Sequence, residues 1–257
     1  MGSRLSRVAA VVAAAMMSFG VLAGGAWGAV TPGWECVPTA AGQAVVSGGT
    51  GSSPSCAAGT TAVLAPTYVS LGVGGKPTVL FAAVNVQIVN GAGTTASLNG
   101  EGNLVVGYDE NPSQLSQTGS HDLILGRNHS FTGFAQLLAG FQNTASGNYA
   151  TVLGRSNTAG GTYSTVTGGE TNRATGTSAS VEGGDANSAS GEGASVTGGF
   201  LNAASSIDAF VGGGASNTAS SAESSVSGGD ENKASGKASS VAGGLKQAAT
   251  GDYSTAP

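Results

Sequence analysis

His121 and His129 are the only imidazoles in the chain, and so the first candidates for proton transfer near neutral pH. A nucleophilic serine would need one of them in reach and an acid behind it. Serine is abundant, but none stands in a Gly-x-Ser-x-Gly turn between a strand and a helix with an acid and base to match. Gly212, Gly213 and Gly214 form a glycine run, yet no helix pattern and no Lys-Ser/Thr follows, so the run reads as a corner and not as a phosphate loop. Asp185 and Asp230 follow paired glycines, as acidic residues do in some calcium-binding repeats, but the 45 residues between them keep them from sharing an ion. Cys36 and Cys56 have no His or further Cys beside them at metal-ligand spacing. The residue types therefore point to no catalytic group, no cofactor site and no metal site. The expectation is a protein that is not an enzyme.

His129 has a different reading. It precedes Asn143 by fourteen residues, and Asn143 opens a regular column: Asn157, Asn172, Asn187, Asn202, Asn217 and Asn232, then Gln247. A second column is apolar: Val105, Ile124, Leu138, Val152, Val166, Val181, Val196, Val211, Val226 and Val241. Its steps are 19, then 14 three times, then 15. A third holds Ala145, Ala159, Ala174, Ala189, Ala204, Ala219, Ala234 and Ala249. A period this short means one small unit stacked on itself. His129 is then a structural substitute for Asn.

Within a unit, Ala179, Val181 and Gly183 alternate with more variable residues, as do Asn187, Ala189 and Gly191. Strands alternate their side chains. Each coil should therefore hold two strands of about five residues joined by tight corners, with these columns facing a narrow interior. The fold class expected is all-β: a parallel β-roll or β-solenoid of 14–15-residue, two-strand coils. At the usual strand separation of about 4.7–4.9 Å, some nine coils make a rod on the order of 40 Å long. The Asn column can form an amide ladder. The change from 14 to 15 adds one residue at a corner, since Gly154 lies three residues before Asn157 but Gly168 lies four before Asn172; the strands should be untouched. The 19-residue step holds a surface excursion around Asn111 and Pro112.

Composition sets the limits. With 45 glycines, 5% aromatic and 9% charged residues, the chain lacks the bulk for a layered core. The glycines do not fall on every third residue, which excludes collagen. Simple disorder does not return Val, Asn and Gly in register. Residues 1–28 read as a secretory signal peptide, with Arg4 and Arg7 at the start, an apolar run over 8–26 and Ala26-Trp27-Gly28 before the cleavage point. Its removal takes the formal charge from −5 to −7, because two arginines and no acidic residue are lost. An acidic protein is a poor nucleic-acid partner. In an exported chain Cys36 and Cys56 are expected to close one disulfide, the other reading being two unpaired thiols.

The rest divides into a leader over 29–60 with little regular structure, a β-rich segment over 61–102 and the array over 103–257. In the middle segment the β-favouring runs 67–71 and 78–81 flank a glycine-rich turn, 83–89 alternates like a strand feeding the array, and 91–102 is a loop. An interior of Ala, Gly, Val and Asn buries little apolar area at about 25 cal/mol per Å², against roughly 1–2 kcal/mol per residue of backbone entropy. Copies should therefore pack side by side as a homo-oligomer.

The pattern Ala-x-Val-x-Gly-Gly-x-x-Asn-x-Ala-Ser-Gly is clearest over 150–161, 179–191 and 224–236. It resembles the haemagglutinin-type head repeats of YadA-like trimeric autotransporter adhesins. The resemblance covers about residues 103–255. It implies a left-handed β-roll, a homotrimer, export to the cell surface, and attachment to host or abiotic surfaces. Many repeats in that family have 14 residues where most here have 15, and its stalk heptads and barrel strands do not occur in this sequence. Two other roles fit a short-period solenoid. One is ice binding, for which the column Thr144, Thr158, Arg173, Ser188, Ala203, Thr218, Lys233 and Ala248 is broken by charge. The other is a fibre segment of a phage or appendage. Tyr149 and Tyr163 share a column with Tyr253 and could touch a ligand or another subunit, or merely pack at the edge.

Overall fold

The computed structural model describes residues 34–38, 60–64, 67–69, 72–81 and 85–257. Contacts divide the chain into two units that meet between Val86 and Gln87. The signal-peptide region and Cys56 lie outside the described residues, as does the first part of the 83–89 run.

In the first unit, β1 (Trp34–Pro38) pairs antiparallel with β2 (Thr60–Leu64), placing Cys36 opposite Ala62. Within the 29–60 leader, Trp34–Pro38 is therefore a strand, and 39–59 lie outside the described residues. β3 (Thr67–Val69) and β4 (Thr78–Leu80) form a second antiparallel pair around the turn at Val73–Gly75.

The second unit is a parallel β-solenoid. β5 (Leu104–Val106) begins a sheet of eleven parallel strands, and a second sheet of nine lies between them in sequence. The first coils comprise β6 (Leu123–Arg127), β7 (Ser130–Phe131), β8 (Leu137–Phe141), β9 (Thr144–Ala145) and β10 (Thr151–Arg155). The apolar column pairs in register throughout, Val105 to Ile124, Ile124 to Leu138, and so on to Val226 with Val241. From Ile124 onward its side chains are wholly buried. The Ala column pairs likewise in the other sheet and is buried with it. Each sheet thus contributes one apolar file, of Val or of Ala, to the interior.

Two expectations about the strands change. The first strand keeps five residues only in the 14-residue coils and shrinks to two from Thr165–Val166 onward. Val152 pairs with Val166 and Arg155 bridges Glu170, so two residues separate Val152 from Arg155 where three separate Val166 from Glu170. The added glycine therefore bulges out of the ladder and ends the strand. Gly183 accordingly does not face inward with Ala179 and Val181: it is half-buried at the bend, while they are fully enclosed. Residues 85–89, the described part of the 83–89 run expected as a feeding strand, form no strand pairing, and Val86, Ile88 and Val89 are exposed. Alternation alone makes no strand without an edge beside it.

Besides glycines of positive φ, as at Gly154, Gly169 and Gly184, each coil has two left-handed corners that are mostly not glycine. One precedes the column Asn, as at Ser156, Thr171, Ala186 and Leu201; the other falls at Tyr149, Tyr163, Ser178 and Asp208. A non-glycine residue in this region costs roughly 1–2 kcal/mol. The compensation is a reversed N–H. Ser156 donates back to Phe141 O (2.9 Å) and Tyr163 back to Asn148 O (2.9 Å), whereas Arg155 beside them donates forward to Gly169 O (3.0 Å). Coils are therefore stitched in both directions at every corner.

Candidate functional site: the interior columns and the outward faces

The Asn column is the most ordered polar feature of the protein. Asn187 donates from Nδ2 to Gly183 O in its own coil (3.0 Å) and to Gly199 O in the next (2.9 Å), while its Oδ1 accepts the backbone N–H of Asn202 (3.0 Å). Asn143, Asn157, Asn172, Asn202, Asn217 and Asn232 repeat the pattern, and Gln247 closes it by donating its backbone N–H to Asn232 Oδ1 (2.8 Å). The expected amide-to-amide ladder is corrected to a side-chain-to-backbone one. The corner leaves main-chain groups unpaired, and a buried amide with two donors and an acceptor satisfies them.

His129 occupies this column with no exposed surface. Its Nδ1 accepts the backbone N–H of Asn143 (3.2 Å) and its Nε2 lies 3.2 Å from Leu125 O. The ring reproduces the amide only as the neutral Nε2–H tautomer. Burial lowers its pKa, and hydrogen bonds to backbone groups partly restore it. His121 sits at a left-handed corner, where Nε2 accepts the Asn90 N–H (3.3 Å) and Nδ1 faces Thr95 O (3.2 Å). It fixes the loop before the array and borders a surface cavity of ≈ 390 Å³ that Gln87, Asn90 and Thr94 also line. The two rings serve separate corners and do not converge.

Sequence reasoning missed a second inward polar file. Asn103 donates to Gly119 O (2.9 Å) and accepts the Asp122 N–H (2.8 Å); Asp122 Oδ1 accepts the Gln136 N–H (2.8 Å); Gln136 donates to Gly147 O (2.8 Å). Ala150, Ser164, Ala179 and Ala194 continue the file, all buried. Asp122 Oδ2 has no partner, and burial raises its carboxyl to about 7, against the pull of the Gln136 N–H. The signal was present in the 14-residue step from Asp122 to Gln136.

The outward faces carry the residues a partner would meet. Beside the Val column, Thr151, Thr165, Ser180, Ser195, Phe210, Ser225, Ser240 and Thr255 face out in register. Ser180 Oγ donates to Ser195 Oγ (3.1 Å) and Ser225 Oγ to Ser240 Oγ (3.2 Å). The Thr144 column pairs in register on the other sheet, with Arg173 and Lys233 exposed within it. Tyr149 and Tyr163 stack with centroids 5.1 Å apart, and the edge of Phe134 abuts Tyr149. Asp185 and Asp230 occupy one corner file with Phe200 and Ala215 between them, so they do not meet. Among the described residues no group of three or more His, Cys, Asp or Glu gathers as a metal cage.

A comparison with protein-family models found no match to this chain, and a search of curated proteins found none either.

Proposed function

We propose that this chain is an exported, non-catalytic structural repeat protein of adhesin type, which presents its solenoid as a homo-oligomer and attaches to host or abiotic surfaces. The resemblance to YadA-like heads favours a trimer. The observation that carries the reading is the outward rank in register along the first sheet from Thr151 to Thr255, hydroxyls throughout except for Phe210. A rank of that kind offers many weak, identical contacts instead of one convergent site. Association is supported by coil 195–210, where Phe200, Leu201, Ile207 and Phe210 are 40–54% exposed on different sides of one coil, and by Tyr149, Tyr163 and Leu245, which are exposed on other coils. Apolar groups spread around a rod in this way are better covered by neighbouring copies than by one small ligand.

Light scattering on the purified protein tests association, with a mass of three chains expected and a single-chain mass refuting it. Attachment is tested with beads carrying the protein on immobilised matrix protein and on bare plastic. Retention no greater than that of beads carrying an unrelated acidic protein would remove the adhesive reading.

A further inference from the structure

Asp122 and His129 are the only fully buried ionisable residues among those described, and they lie seven residues apart in the first coils of the array. Each stands in a file otherwise built of amides, hydroxyls or alanine. Each fits its place only when neutral. Asp122 Oδ2 is enclosed and unpartnered, crowded with Gly133 O against the α-carbon of Gly119. The flanking amides Asn103 and Gln136 each donate to the glycine carbonyl of the next coil, and a protonated Asp122 supplies the same donor toward Gly133 O. Around it stand Asn103, Gln136, Gly119, Gly133 and Phe131, all uncharged. The neighbouring titratable group, His121, is bonded to Asn90 and Thr95 instead. His129 accepts an N–H at Nδ1, which a proton there would forbid. The charged groups near it are Asp109, whose carboxylate is held by Gln117 Nε2 (2.8 Å), and Arg127 on its own coil, exposed over Phe141.

In an opened chain both groups regain ordinary behaviour. A free aspartate is ionised above about pH 4 and a free histidine is protonated below about pH 6.5. Between those values the opened chain carries Asp⁻ and His⁺, and the closed array carries AspH and neutral His. We propose that the two are a compensated pair: on closure the proton given up by His129 balances the one taken up by Asp122, so the N-terminal coils stay equally closed from about pH 4 to about pH 6.5.

The slope of stability with pH follows the difference in bound protons. Asp122 alone makes closure weaken as pH rises from its opened-chain value toward its closed-array value. His129 alone makes closure weaken as pH falls below about 6.5. The two slopes have opposite sign and equal limit, tenfold per pH unit. Asn is the amide counterpart at both positions, so Asp122→Asn and His129→Asn each remove one limb.

Native-state hydrogen exchange on the full chain reads the opening constants of the Gln136 and Asn143 amides, corrected for intrinsic rate. The wild type is expected to vary less than about threefold between pH 4.5 and 6.5. Asp122→Asn should open more as pH falls and His129→Asn more as pH rises, each approaching tenfold per unit, and the double variant should be flat. A steep wild-type profile, or single variants as flat as the wild type, overturns the pairing. Carbon NMR titration of the wild type gives a second reading that needs no variant. At pH 5.5 the Asp122 carboxyl should be protonated and the His129 ring neutral, and an ionised Asp122 or an imidazolium at His129 overturns the proposal.

Discussion

Gly183 and Gly184 are adjacent and chemically identical, yet adding one methyl to each should have opposite consequences. Gly184 has φ +83°, and a Cβ there would fall on Gly199 O and within 2.6 Å of Asn187 Nδ2. Gly199 O is the acceptor for both the Asp185 N–H (2.9 Å) and Asn187 Nδ2 (2.9 Å). Gly184→Ala therefore adds roughly 1–2 kcal/mol of left-handed strain and disturbs two hydrogen bonds worth about 0.5–1.5 kcal/mol each, a loss of about 2–5 kcal/mol. At Gly183 a Cβ meets nothing within 4 Å and φ is ordinary. Gly183→Ala should leave stability within about 0.5 kcal/mol, the usual range for a surface change. Urea unfolding of both variants, followed by far-ultraviolet circular dichroism at several protein concentrations, separates chain stability from association. Equal losses in the two variants, or a larger loss for Gly183→Ala in dilute protein, would refute the corner geometry.

Asn187→Ala removes three hydrogen bonds and leaves the Asn202 N–H and Gly199 and Gly183 carbonyls short of a partner. A loss of about 3 kcal/mol is expected in the same unfolding assay. Ser164→Ala should do the reverse, gaining about 1 kcal/mol, because the Ser164 hydroxyl is buried without a partner and Ala179 already fills the same place one coil on. Gln142→Gly relieves a left-handed corner at an exposed side chain and should be neutral to about 1 kcal/mol stabilising, the strain relieved exceeding the entropy glycine adds to the unfolded chain. Ice binding predicts thermal hysteresis; none is expected, since exposed Arg173 and Lys233 interrupt the Thr144 file.

The amino-acid sequence by itself determined the solenoid. Recurrence of Val166, Val181, Val196 and Val211 at one spacing leaves a stacked coil as the arrangement that puts all of them in one place, because the interior of these coils is filled by columns of Val, Ala and Asn. It also determined that His129 replaces an asparagine, since position in a column can be counted. Tertiary structure decided what the columns do. The amides of Asn187 and its equivalents bond to backbone rather than to each other because of where corner carbonyls point, and no count of residues gives that direction. The strands shortened because an inserted glycine bulged from the ladder. Asp122 became a buried carboxyl with its pKa pushed up to about 7 only when Gly119, Gly133 and Gln136 closed around it, for the cost of burying a charge depends on the neighbours that folding brings and not on those the chain supplies.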